Sequence, residues 1–347
     1  MSVEITLYTK KAVKTSLTKF LLENGFQKTK HFIEELNNAN AIHYIWYEFE
    51  NFQSSSGVEA TIQKISLEEQ NNYKCSEWIL HTRTRSSGSF EDKQKQNEII
   101  RIARKQFGGS FYNDWYGTNK YINLDDYPKF SPLEKSLSII SNNANDKLEK
   151  LRDCLEGYQN DTSDMISKIE DDFIKSLIKE NDPSIILYNS LIPFLVSVIE
   201  YFFSQIFYSF LKYDSSCREN ITSEKIKLDI SEVLNINNNK NTIESIVTKS
   251  YNFQNIESIN RAYKKYLNID IRSVLSSKKK VNSKVFRVIN KLDEILNVRH
   301  SFVHELDINY EINKEIYFGY LKTIEVIIEL MLAELKNKNL NIEYNKY

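Results

Sequence analysis

Apolar and polar residues alternate along short stretches in the first third of the chain, as they do in strands buried on one face. We expect strands over residues 41–49, 57–65 and 77–85. Helical spacing flanks them over 11–24 and 91–107, and an aromatic hairpin is expected over 111–121. These patterns predict a small α+β domain with an antiparallel sheet.

Helical spacing of apolar residues dominates the rest of the chain. Polar helices are expected over 131–182, either as a connecting arm or as an extra helical pair. Three stronger helices are expected over 185–211, 284–302 and 312–335. The first of these is apolar almost all round, which predicts burial on several sides. The expected fold class is α+β, with a small antiparallel-sheet domain followed by a mainly α-helical bundle.

Glycine usage changes abruptly along the chain. Six of the eight glycines and all three tryptophans lie before residue 130. Glycine and proline break regular structure, so this shift marks a domain boundary. We expect an α+β domain over 1–130, a helical connector over 131–182 and a helical bundle over 183–347.

Composition narrows the classes of protein that fit. The 347 residues are 41% hydrophobic and 27% charged, with a net charge of -1, which excludes a disordered chain and a globally basic nucleic-acid binder. Three widely spaced cysteines exclude a disulfide scaffold. We expect no secretory leader, because the first residues lack a basic and then apolar pattern. We expect no membrane partner, because the apolar stretch 185–211 contains Asn189, Pro193 and Glu200. The expected location is the cytoplasm, and no cofactor is expected.

One segment near the end of the chain combines residues suited to phosphoryl chemistry. Arg299 is followed directly by His300, and His304 comes five positions after the arginine. Arginine donates a fork of hydrogen bonds to phosphate oxygens, and histidine exchanges a proton near neutral pH. On an ideal helix, however, Arg299 and His304 lie about 140° apart, so one helix is not expected to aim both at one phosphate.

Three interpretations of this cluster stay open on spacing alone. The residues can serve a plain surface or capping role at a helix end. The HxxxH spacing of His300 and His304 also permits a zinc pair, although no third ligand is evident and no metal site is expected. The third interpretation is a phosphodiester site.

The segment resembles the R-x4–6-H signature of HEPN domains, in which a polar residue follows the arginine. Ile192–Leu211 is similar to the long first helix of that family and carries an internal glutamate, Glu200. Ile256–Ile271 resembles the segment before the motif helix in defence-associated HEPN subgroups, and Ile312–Leu335 completes the bundle. The resemblance covers about residues 183 to 338, roughly half of the chain.

The resemblance implies a metal-independent endoribonuclease that works as a toxin or in antiphage defence. It implies a homodimer in which two motif helices meet at one RNA cleft. Arg299 would then stabilise the phosphorane, His304 would act as general acid or base, and His300 would orient the substrate. Glu200 either contacts the motif arginine or is simply a buried, paired charge. The alternative is a non-catalytic HEPN-like protein that dimerises or binds nucleotide, RNA or a protein partner.

Two further groups of basic residues are candidates for ligand contacts. A basic run before the motif helix can grip RNA phosphates or can be a solvated loop, and it comprises Lys278, Lys279, Lys280, Lys284 and Arg287. In the first domain, basic residues follow one strand and the next helix, namely Arg83, Arg85, Arg101 and Arg104. Together with nearby aromatic residues, these arginines favour a ligand surface, for example for a phage-derived or protein trigger. The alternative is an ordinary exposed surface over buried aromatic residues. His43 and His81 are expected to face a sheet without a role.

Overall fold

The structure is a computed structural model that describes residues 2–30, 40–156, 169–180, 182–223, 225–281 and 284–344. It divides into two compact units, Met1–Pro132 and Leu133–Tyr347. The first unit contains an antiparallel sheet and the second is mainly helical, which confirms the expected α+β fold class. The division falls at the break in glycine usage.

An antiparallel sheet of seven strands forms the centre of the first unit, in the order β2-β3-β4-β5-β1-β6-β7 within its described part. The strands are Ser2–Tyr8 (β1), Gln27–Thr29 (β2), Ala41–Trp46 (β3), Val58–Lys64 (β4), Trp78–Arg85 (β5), Ser110–Asn113 (β6) and Gly117–Thr118 (β7). The helices among the described residues of this unit are Lys14–Glu23 (α1), Leu67–Tyr73 (α2) and Phe90–Phe107 (α3), with 3-10 turns at Glu50–Phe52 and Leu124–Asp126.

Helices α1 and α3 cover one face of this sheet. Val3, Ile5 and Leu7 of β1 alternate with half-buried residues and join the helices in one apolar core. Gln96 of α3 fixes the packing, because its Nε2 donates to the carbonyl oxygens of Val3 and Thr82, each at 3.1 Å. The residues that alternate with this buried set therefore lie on the opposite face of the sheet.

The sequence interpretation missed the strand that holds the sheet together. β1 lies between β5 and β6 and pairs with both, with Leu7 opposite Leu80 and Phe111. The alternation of Val3, Ile5 and Leu7 was a strand signal of period two. The short strand β2 and the helix α2 were missed as well.

The second unit is a bundle of helices with one small hairpin. Its described helices are Pro132–Glu156 (α4), Asp172–Glu180 (α5), Pro183–Tyr213 (α6), Ser215–Glu219 (α7), Ile230–Asn237 (α8), Ile243–Lys249 (α9), Ile256–Leu267 (α10), Ile271–Leu275 (α11), Val288–Glu305 (α12) and Lys314–Lys336 (α13). A 3-10 turn occupies Asn220–Ser223, and strands Lys278–Val281 (β8) and Lys284–Arg287 (β9) pair with each other.

Helix α4 belongs to the bundle and is not a separate connecting arm. Its apolar face, which includes Leu137, Ala144 and Leu148, lies in the same core as α6, α10, α12 and α13. The serine hydroxyls of Ser136 and Ser209 are 2.7 Å apart and tie α4 to α6. A second helix is expected in this region from about residue 161, and that start lies outside the described part of the chain, which omits residues 157–168. Residues Asp172–Glu180 are helical.

Helix α6 is the central helix of the bundle. It is 31 residues long, and by length and hydropathy it could cross a membrane, but 56% of its most apolar window is buried within the protein. Phe207 contacts the rings of Tyr251, Phe253 and Tyr263. This burial agrees with the expectation of a core helix.

The motif helix starts later than its sequence pattern indicated. Residues 284–287 form strand β9, and α12 begins at Val288 and ends at Glu305. β-branched and aromatic residues, Val285 and Phe286, favour a strand there. The basic run before the helix therefore lies in paired strands and not in a loop, and its described basic side chains are exposed.

We expect Phe207→Ala to destabilise the helical bundle strongly. Removal of the fully buried ring leaves a cavity among four aromatic neighbours and should lower the free energy of unfolding by about 3–5 kcal/mol. Urea unfolding of the full chain measures this loss. Phe173→Ala is the matched control, since that ring is 71% exposed, and equal losses for both variants would contradict the packing.

Candidate functional site

Arg299 and His304 meet at the exposed end of α12. Arg299 Nη1 lies 3.4 Å from His304 Nε2, at the long end of hydrogen-bond distance. A guanidinium is permanently charged and only donates hydrogen bonds. The pair therefore places a fixed cation beside an imidazole, a side chain that can exchange a proton.

Arg299 and His304 come into contact within one helix, although their spacing does not predict that both would point at one phosphate. The backbone positions do differ by about 140°, but side chains on a helix lean toward its N-terminus, so His304 leans back over the preceding turn. The long arginine side chain spans the remaining distance to the imidazole. A single chain therefore assembles the pair.

The buried residues of α12 explain why its motif end is accessible. The helix is anchored by Val288, Leu292 and Ile295, which follow one face at spacings of four and three. No residue of α12 after Ile295 is buried. Arg299 is half-buried and His300 and His304 are exposed, so a large ligand can reach all three.

His300 completes the cluster. Its ring centroid lies 4.7 Å from that of His304, with the planes tilted by 47°. Residues four apart share a helix face, which brings the two imidazoles into contact. The cluster contains two groups that can exchange protons and one permanent cation.

Glu200 does not contact the motif arginine within the chain. Its carboxylate accepts a hydrogen bond from Gln254 Nε2 at 2.6 Å. The Arg299 guanidinium is instead directed at His304. Glu200 lines a separate groove of about 580 Å³ in the second unit, together with residues of α9 such as Ser245 and Lys249.

The basic hairpin lies at the other end of the motif helix. Lys278 pairs with Arg287 across the hairpin, and both side chains are exposed, as is that of Lys279. The side chains of Lys280 and Lys284 lie outside the described part of the structure. At 1.5 Å per residue, about 18 Å of helix separates Arg287 from Arg299.

The four arginines of the first unit do not form one surface. Arg83 and Arg85 lie on β5 and point away from α3, because Thr82 and Thr84 occupy the face that α3 covers. Arg101 and Arg104 lie on α3, on the other side of the sheet, and stack over Tyr121 and Phe111. The two pairs of arginines therefore lie on opposite faces of one sheet.

The open face of the sheet carries a polar cluster that the sequence interpretation missed. Arg83 lies between two carboxylates, with its Nε 3.6 Å from Glu4 and its Nη1 3.7 Å from Glu59. His81 Nε2 is 3.6 Å from the Glu4 carboxylate, and burial lowers the pKa of this histidine. The alternation of Glu4 and Thr6 with apolar residues in β1 was the available signal.

Among the residues that the structure describes, no group of three or more His, Cys, Asp or Glu side chains is placed to hold a metal ion. Comparison of the chain with models of protein families, with curated proteins and with solved structures finds no match.

Proposed function

We propose that the protein is a metal-independent endoribonuclease of the HEPN type, acting in the cytoplasm as a toxin or antiphage effector. The contact between Arg299 Nη1 and His304 Nε2 carries this proposal, because it places a permanent cation and a proton acceptor side by side at an exposed site. The order of helices around the motif, α6, α10, α12 and α13, is consistent with the resemblance.

The cluster has the groups that RNA transesterification needs. One imidazole removes the proton of a ribose 2′-hydroxyl, and the 2′-oxygen forms a bond to phosphorus. Arg299 stabilises the negative charge of the pentavalent phosphorane. The bond from phosphorus to the 5′-oxygen then breaks, and an imidazolium gives the leaving oxygen its proton. We assign the acid-base role to His304, and His300 orients the substrate.

The hairpin extends the proposed RNA surface along the motif helix. Its exposed cations, Lys278, Lys279 and Arg287, would contact the phosphate backbone rather than the bases. About 18 Å separates them from Arg299, so a bound strand would lie along α12. Such contacts give affinity without sequence specificity.

Exposed apolar residues around the motif support a homodimer. Leu306 ends α12 in the left-handed region, with φ of 53°, and is 79% exposed. A leucine in that conformation is strained, and the described part of its own chain buries little of its side chain. Phe194 of α6 is 58% exposed, and Asn189, five residues earlier on α6, exchanges two hydrogen bonds with Asn309 just beyond α12.

These contacts bring the part of α6 that carries the exposed Phe194 toward the motif end of α12. A second copy of the chain would cover Phe194 and Leu306 and bring a second Arg299 to the cleft. The dimer would therefore bury apolar surface and enclose the RNA between two motif clusters.

Phe194→Glu is expected to convert the dimer into a monomer, because the carboxylate cannot be buried unpaired at the contact. Sedimentation velocity of the full chain measures the change. Phe173→Glu places the same charge at another exposed phenylalanine and should leave the mass unchanged. A wild-type chain that sediments as a monomer at all concentrations would contradict the dimer.

Replacing either member of the motif pair is expected to remove RNA cleavage. Arg299→Ala deletes the cation and His304→Ala deletes the proton acceptor, and each should lower the cleavage rate by at least about 100-fold. Gel assays with purified full-length chain and total RNA measure the rates. Arg261→Ala removes an exposed arginine of the same unit and is the control. Wild-type protein that never cleaves RNA would favour the non-catalytic binding protein.

A further inference from the structure

A groove of about 590 Å³ occupies the open face of the sheet in the first unit. Strands β3, β4 and β5 form its floor, and helices α1 and α3 lie on the opposite side. The volume is within the range of small-molecule sites. The lining residues all belong to the first unit and the motif cluster to the second, so binding in the groove is independent of the proposed nuclease activity.

The floor of the groove is an ordered row of side chains. Thr61 lies directly opposite His43 on one side and His81 on the other, so all three share the open face. The Nδ1 atom of His43 is hydrogen bonded to the Thr61 hydroxyl at 3.0 Å, and that of His81 to the Thr6 hydroxyl at 2.9 Å. The imidazoles of His43 and His81 therefore lie on either side of Thr61. Their strands are two strand spacings apart, which is about 10 Å.

A second row lies beside the first and supplies charge. It places Glu4, Arg83, Glu59 and Ile45 on adjacent strands in register. The Nε atom of Arg83 is buried and makes no hydrogen bond with the described protein atoms, since the nearest Glu4 oxygen is 3.6 Å away. A buried donor without an acceptor is costly and is a feature of ligand sites.

The charged side chains of the groove largely compensate one another. Two carboxylates, Glu4 and Glu59, flank Arg83, while Lys64 is paired with Glu77 and Lys30 is the fifth charged residue of the lining. A peptide backbone finds no partner on this floor, because the N–H and C=O groups of β3, β4 and β5 already pair within the sheet. A ligand of low net charge, recognised by side chains, fits best.

Flat heterocycles combine a low net charge with surfaces and edges that these side chains can contact. Their faces stack on rings such as imidazoles and pack on Ile45, and their edges carry both donors and acceptors. The Glu59 carboxylate accepts from a ring N–H, and Arg83 donates to a ring acceptor. We propose that the open face of the sheet binds a free nucleoside, with its base over Thr61 between His43 and His81.

Calorimetric titration of the full chain with adenosine, guanosine, cytidine and uridine tests this inference. At least one nucleoside should bind with a dissociation constant below about 1 mM. Thr61→Phe fills the floor with a residue that strands accept and should abolish binding. Glu59→Gln loses the charged acceptor and should weaken binding by at least about tenfold.

Glu98→Gln is the matched control, because that carboxylate pairs with Lys95 on α3, on the covered side of the sheet, and binding should be unchanged. Circular dichroism establishes that each variant is folded. If Thr61→Phe unfolds, Glu59→Gln decides the outcome.

The proposal is contradicted if no nucleoside binds, or if a folded Thr61→Phe variant binds nucleoside as well as the wild type does. Free amino acids and a single-stranded RNA are titrated in the same way, and binding seen only with these ligands would also contradict it.

Discussion

Burial of the apolar helix α6 is the constraint on which the second unit depends. Its aromatic residues, including Phe203 and Phe207, must be covered on several sides, and α4, α10, α12 and α13 provide that cover in one continuous core. Helix α12 contributes its fully buried residues, Val288, Leu292 and Ile295, from its first half, and only partly buried residues such as Val298 from its second half. The same packing therefore fixes the helix firmly and leaves its last turns in contact with solvent.

The sheet of the first unit likewise has one buried face and one polar face. One face of the sheet is buried by α1 and α3, and the hydrogen bonds of the buried Gln96 tie α3 to that face. The other face is free to carry charged and hydrogen-bonding side chains on a rigid floor. Both candidate sites thus consist of polar residues held by regular structure whose opposite side is core, an arrangement that keeps functional groups in place.

Much of the fold was predictable because burial imposes a period on the sequence. The strands over 41–49, 57–65 and 77–85 and the long helix from 185 were found from their apolar spacing, and the fold class followed. Strand β1 was missed although Val3, Ile5 and Leu7 alternate, and the hairpin before α12 was read as helix or loop. Of the candidate residues, His300 and His304 meet as their spacing of four indicates. The contact of Arg299 with His304 was not predicted, because an angle of about 140° between backbone positions does not include the reach of a long side chain. The groove around Arg83 depends on the pairing of distant strands, which a single sequence does not specify.

The chemical nature of the RNA ends tests the central claim most directly. Purified full-length protein is incubated with RNA in excess EDTA, and the termini of the products are identified by mass spectrometry. Attack by the 2′-hydroxyl, assisted by Arg299 and His304, predicts 2′,3′-cyclic phosphate and 5′-hydroxyl ends that form undiminished in the chelator. Products with 3′-hydroxyl and 5′-phosphate ends, or cleavage that stops when EDTA is added, would contradict the account.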